Sequence, residues 1–166
     1  MAFYDNSYDV DQARKFRDDV DNKIVYLQSA GLDSEYRAGK ERHAFLFWDV
    51  SKPEIPGYEV SKMVHLTGSY GKWALSIECK RRHSDYRQKN QIRALGTFSR
   101  AQRDRILTHA RDVRFDKHSR VNSCRTFLRD LLVLMVEDAY LPVTQGQLDA
   151  LHTAVPLLYR VAELER

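Results

Sequence analysis

The segment Val121-Asn122-Ser123-Cys124-Arg125-Thr126-Phe127-Leu128-Arg129-Asp130-Leu131-Leu132 holds the one residue of this chain whose type and placement suit covalent chemistry. Cys124, Leu128, Leu131 and Met135 fall on one helical face, so the thiol belongs in the first turn of a helix whose apolar stripe is buried. Asn122 or Ser123 can cap that helix by accepting from amides without intrahelical partners. Free first-turn amides and the positive end of the helix dipole favour a thiolate. The plainer alternative is that Cys124 is a small buried apolar side chain. A thiol nucleophile also needs a base within hydrogen-bond reach and a group to orient that base. The six histidines are His43, His65, His83, His109, His118 and His152. His65 and His83 lie in or just after a predicted hairpin that can fold against the Cys124 helix, which makes them the candidate bases. His118 precedes Cys124 by six residues in a basic linker.

The elements that must position these groups follow from periodicity. Residues 1–9 show no clear period and read as an arm. Ala13, Phe16, Val20, Ile24 and Leu27 recur at steps of three and four, which predicts an amphipathic helix of roughly twenty residues ended by Gly31. The alternative for its second half is a strand over Lys23–Leu27, since Ile, Val and Tyr favour sheets. Residues 31–42 read as a loop, and His43–Val50 as a short strand buried on both faces. Lys52–Gly57 contains Pro53 and Pro56 and reads as a turn. An antiparallel hairpin follows, Tyr58–Thr67 and Lys72–Lys80. Its second strand alternates Trp73, Leu75, Ile77 and Cys79 on the core face. In the first, Val60, Val64 and Leu66 share a face and place His65 opposite, with Met63 and Thr67. Residues 80–90 read as a loop or an exposed strand end. Ser99 caps a predicted helix over Arg100–Val113, and the Cys124 helix extends to about Ala139, before Leu141-Pro142. A last helix is expected between Gln145 and Leu164, kinked at Pro156. The fold class is therefore α+β: one domain over residues 1–166, with an antiparallel sheet of three or more strands against about four helices.

With 166 residues, 43% of them hydrophobic, the chain can bury a real core. No run approaches the ~18 apolar residues of a membrane span. The start Met1-Ala2-Phe3-Tyr4-Asp5-Asn6 lacks the basic end and apolar centre of a signal peptide, so an intracellular, cytoplasmic protein is expected. Cys79 and Cys124 can build neither a disulfide framework nor a structural zinc site; they read as reduced thiols, with Cys79 structural. No metal site, Gly-rich phosphate loop or other cofactor motif is present.

The order of a hairpin, a helix and then Asn-x-Cys-x-x-Phe-Leu-x-x-Leu-Leu resembles the permuted papain-like families, among them the lecithin retinol acyltransferase group and related thiol peptidases. The resemblance covers roughly residues 58–140. It implies a papain-like fold, a hydrolase or acyltransferase activity, Cys124 as the nucleophile and Phe127 as the helix aromatic. It also matches Lys72-Trp73-Ala74-Leu75 to the strand that begins with the catalytic histidine in those families. Lys72 stands where that histidine would be, and Ser123 is inserted between Asn122 and the cysteine. The resemblance thus implies either a pseudoenzyme that has lost the standard base or an enzyme using His65 or His83.

A second function class rests on charge. The net charge is +4, yet residues 80–129 carry 15 basic and 4 acidic residues. Such a concentration suits an anionic partner, either nucleic acid or an acidic protein, or else a solvated face balancing the acidic ends. Arg81, Arg82, Arg87, Arg100 and Arg103, interleaved with Tyr86 and Phe98, are the candidate nucleic-acid contacts. No helix-turn-helix, zinc-finger or RNA-recognition signature accompanies them. A third class is a small-molecule binder with an apolar pocket lined by Phe47, Trp48 and Trp73.

Overall fold

The computed structural model describes residues 17–36, 41–51 and 56–165. Five strands form one antiparallel sheet: β1 (Lys23–Ser29), β2 (Ala44–Ser51), β3 (Tyr58–Ser69), β4 (Lys72–His83) and β5 (Gln91–Phe98), in the order β4-β3-β2-β1-β5. Four helices accompany it: α1 (Tyr86–Lys89), α2 (Arg100–Asp112), α3 (Cys124–Glu137) and α4 (Gln145–Ala154). The architecture is α+β, as the periodicity predicts.

Alternation in the strands decides which side chains form the main core. Val25 and Leu27 of β1, Leu46 and Trp48 of β2, and Val60, Val64 and Leu66 of β3 face Ile106 of α2, Leu128, Leu131 and Met135 of α3 and Leu148 of α4. The opposite face carries a smaller cluster of Phe45, Phe47 and Met63, closed by Tyr86 of α1 with Tyr26 and Ile92 at its margin. Trp73 and Cys79 are buried on the core side, whereas Leu75 between them is exposed at the sheet edge. The β3–β4 turn needs Gly68, because a Cβ there would lie 1.9 Å from the Lys72 carbonyl oxygen and its φ is +115°.

Two expectations are corrected. The helix expected from Val10 to Gly31 does not extend through Lys23–Ser29, which is the strand β1; its first half lies largely outside the described residues, as does the arm 1–9. Of the residues the three-four spacing picks out, Val20 and Ile24 are exposed and Leu27 is buried, and Leu27 shares its buried face with Val25 at the period of two. Neighbours on both sides of β1 outweigh a weak helical stripe. The last helix ends at Ala154, before Pro156, and residues 157–165 run without regular structure rather than as a kinked helix. Strand β5 has no clear sequence signal, because Arg93, Ala94 and Gly96 dilute its β-propensity and the register shifts opposite Val25 and Tyr26.

Candidate active site at the N-terminus of α3

Ser123 is the N-cap of α3. Its hydroxyl accepts from the Arg125 amide at 3.3 Å, while the Thr126 hydroxyl accepts from the Ser123 amide at 3.1 Å, closing a capping box. Ser123→Ala should cost about 1–2 kcal/mol, near the upper end for a cap because the site is buried, as read from urea denaturation. Asn122, the other candidate cap, serves a different end: its amide group donates to the Val161 carbonyl at 2.9 Å and accepts from the Val161 amide at 3.0 Å. It clamps the C-terminal segment beside the helix start.

Cys124 is 4% exposed. Burial pushes its thiol above the ordinary range, while backbone hydrogen bonds from Ala44 and Arg125 and the charge of Arg125 act in the opposite sense. Ala44 opens β2, and the first β2–β3 register pair is Leu46 with Val64. The sulfur therefore rests on the end of β2, where the ladder to β3 has not begun.

His43 precedes Ala44 and ends a hydrogen-bonded string on the opposite face of the sheet. Its Nε2 lies 3.0 Å from Nδ1 of His65, and Nε2 of His65 lies 2.9 Å from Oε1 of Glu78. His65 and Glu78 are buried, and the Ser76 hydroxyl donates to Oε2 of Glu78 at 3.2 Å. With Glu78 ionised, His65 donates through Nε2 and, when neutral, accepts through Nδ1. His43 then donates through Nε2 and keeps its lone pair on Nδ1. Burial, then the neighbouring His65, lowers the His43 pKa to about 4, with Glu78 opposing.

The two candidate bases part company here. His65 spends both ring nitrogens on His43 and Glu78, and its side chain is on the face of the sheet away from α3. His83 sits at the far end of β4, opposite Tyr58, 56% exposed and paired with Asp85 at 3.0 Å. Lys72 is exposed at the start of β4, and Trp73 anchors the linker before α3 by donating from Nε1 to the Ser119 carbonyl at 3.1 Å. His43 stood among the six histidines without being singled out. The signal that could have found it is its position at the head of an apolar strand, in register reach of His65.

Most of the candidate nucleic-acid arginines are engaged within the chain. Arg82 lies 3.5 Å over the Tyr86 ring and donates to Gln28 and Ser61. Arg87 pairs with Asp49 at 2.9 Å and Glu59 at 3.1 Å. Arg100 pairs with Asp104 at 3.1 Å, and Arg103 is wholly buried against Asp18 at 2.9 Å. Arg81 is half-buried on β4 opposite Val60. The exposed basic residues of this segment include Arg111, Arg114, Lys117 and Arg120, around the end of α2 and the linker to α3. Phe47, Trp48 and Trp73 line no common pocket: Phe47 belongs to the smaller cluster and the two tryptophans to the main core. An open cleft of about 520 Å³ lies instead between Gly71, His118, Arg120 and the C-terminal Glu163–Glu165.

Among the described residues no helix is long and apolar enough to cross a membrane, and no group of three or more His, Cys, Asp or Glu side chains is placed to hold a metal ion. No known protein family, curated protein or solved structure matches this chain.

Proposed function

We propose that this chain carries a degenerate thiol hydrolase or acyltransferase site of papain-like type, with Cys124 as nucleophile and Lys72 standing where the papain-like base would be. The observation that carries this reading is the placement of the Cys124 sulfur in the first turn of a capped helix, against the end of β2. The sulfur is hydrogen-bonded by the backbone of Ala44 and Arg125, whereas the string from Glu78 to His43 lies on the other face of the sheet. In the proposed step the sulfur attacks a substrate carbonyl and the thiol proton passes by way of solvent to the leaving group. Water or another acceptor then releases the acyl group from the sulfur.

A second reading is a non-catalytic binding protein that kept the fold. It is favoured by the burial that pushes the Cys124 thiol up, which disfavours a resting thiolate. Labelling with a chloroacetamide at pH 7, mapped by mass spectrometry, separates the two. The catalytic reading expects Cys124 to label much faster than the buried Cys79, and His43→Gln, on the other face of the sheet, to leave that advantage in place. Equal, slow labelling of both cysteines in the folded protein would leave the binding reading standing.

A further inference from the structure

We propose that the surface running from Asp130 past Asn122 to Arg120 is a groove for an extended peptide, and that the chain's own segment 157–165 occupies it as a displaceable stand-in. The groove fits a peptide whose basic residue is followed three and five positions later by acidic ones, as Arg160 is by Glu163 and Glu165. Binding of this kind does not rest on the chemistry of Cys124.

Asn122 is wholly buried, and its side chain grips the backbone of one residue: Oδ1 accepts from the Val161 amide at 3.0 Å and Nδ2 donates to the Val161 carbonyl at 2.9 Å. An extended residue turns its N–H and C=O to the same side, so this two-bond grip reads backbone whatever the side chain. The flanking contacts are charged. Before Val161, Arg160 donates from Nε to Asp130 at 2.8 Å, and the Arg129 guanidinium lies 4.0 Å from the centre of the Tyr159 ring. After it, Nδ2 of Asn122 also donates to Oε1 of Glu163 at 2.7 Å, and Glu163 and Glu165 line the open cleft with the exposed His118 and Arg120. The linker places Asp116 in the same cleft, where its Oδ1 accepts from the His118 amide at 2.8 Å.

Apolar burial contributes little to holding this segment. Leu157 is buried, but Tyr159, Val161 and Leu164 are 63%, 52% and 62% exposed, and residues 157–165 form neither helix nor strand. Beyond Leu157 the hold consists of the Asn122 grip together with ion pairs and ring contacts at the surface, each of them weak. A segment held this way opens locally while the rest of the fold stays closed. The receiving side is built differently. Asp130 and Arg129 stand on α3, and the Asn122 amide is fixed by donating to the Ser119 hydroxyl at 2.9 Å. A second peptide that offers the same backbone and the same order of charges therefore takes the place of residues 159–165 without disturbing the core.

The test is fluorescence anisotropy of a labelled synthetic peptide with the sequence of residues 157–165, titrated with the full chain. In wild type the tethered segment competes at an effective concentration on the order of millimolar, so binding of the free peptide is weak. Arg160→Ala combined with Glu163→Ala loosens the segment and leaves the groove intact, and this variant should bind the peptide about tenfold or more tighter than wild type. In that background Asp130→Arg should lose the gain and recover it for a peptide carrying glutamate in place of its arginine, an exchange that a purely structural effect would not reproduce. Asp130→Ala, which adds no bulk, should weaken binding as well and preserves the test if the arginine variant does not fold. Cys124→Ala should bind the peptide like its parent, so failure of thiol labelling and failure of peptide binding are separate results. Absence of saturable binding to the loosened variant, unchanged binding in both Asp130 variants, or no recovery with the exchanged peptide in a folded Asp130→Arg protein would each overturn the assignment.

Discussion

Replacing Arg103 by Met is expected to destabilise the fold by about 3–5 kcal/mol, the usual cost of leaving one member of a buried ion pair alone. Arg103 is 0% exposed and grips Asp18 with two bonds of 2.9 Å from Nε and Nη2. Its remaining donors reach the carbonyls of Phe98 at 2.9 Å, Asp21 at 2.7 Å and Asp19 at 2.8 Å. Trp48 from the middle of β2 also donates to Asp18 at 3.0 Å. One guanidinium thus ties the segment before β1 to the start of α2 and, through Asp18, to the sheet. In Arg103→Met the Asp18 carboxylate remains buried, with the Trp48 indole as its hydrogen-bond donor and the Arg100 guanidinium, 4.0 Å away, as its remaining cation. Adding Asp18→Asn removes that stranded charge and should recover part of the loss. A urea-denaturation cycle of the two single variants and the double variant reads the coupling directly. A loss below about 1 kcal/mol in Arg103→Met would mean that the pair is more hydrated than its burial implies.

Acidification should destabilise the protein between pH 6.5 and about pH 4 through His43. Its folded pKa of about 4 lies below the ordinary 6.5, because burial and His65 disfavour the imidazolium. Unfolding in that window takes up a proton, so the contribution of His43 is intact above pH 6.5 and is lost as the pH falls toward 4. The expected loss is on the order of 2–3 kcal/mol. Comparing denaturant midpoints of wild type and His43→Gln from pH 7.5 to 4.5 isolates this term from the carboxylates, which both proteins share. The two curves should converge toward low pH. Curves that stay parallel would place the proton uptake elsewhere.

The sequence made the hairpin and the three long helices legible because each carries a local physical signature. β4 alternates, Ser99 and Ser123 both close capping boxes, and Pro142 and Pro156 follow helix ends. The elements it obscured are those whose identity depends on neighbours. β1 carries part of a helical stripe that the sheet splits, with Ile24 exposed and Leu27 buried, and β5 pairs with β1 across the 61 residues, 30–90, that separate them. The site divides the same way. Cys124 at a helix start follows from spacing alone. The string His43–His65–Glu78 depends on strand register across β2, β3 and β4, and no local pattern encodes a register. The basic segment is legible only as charge for a related reason: arginine is read from sequence as surface charge, but Arg82, Arg87 and Arg103 find partners on other elements.

The sheet has two outer strands, and the chain itself obstructs both. Alongside β4, the linker before α3 behaves as a partial sixth strand, with the Gly71 and Trp73 amides donating to the carbonyls of Ser119 and Lys117. Beyond that cover the edge runs into Lys80, Arg81 and Arg82. Alongside β5, the register shift breaks the regular row of hydrogen-bonding groups, and the Gln147 side chain of α4 occupies the Leu95 carbonyl at 2.7 Å. Edge strands are where β-proteins recruit one another into fibres, and blocked, bulged or charged edges are the usual protection. The loops that frame α3 therefore also guard the protein's solubility, and changes that loosen the 117–119 segment carry an aggregation hazard separate from any effect on Cys124.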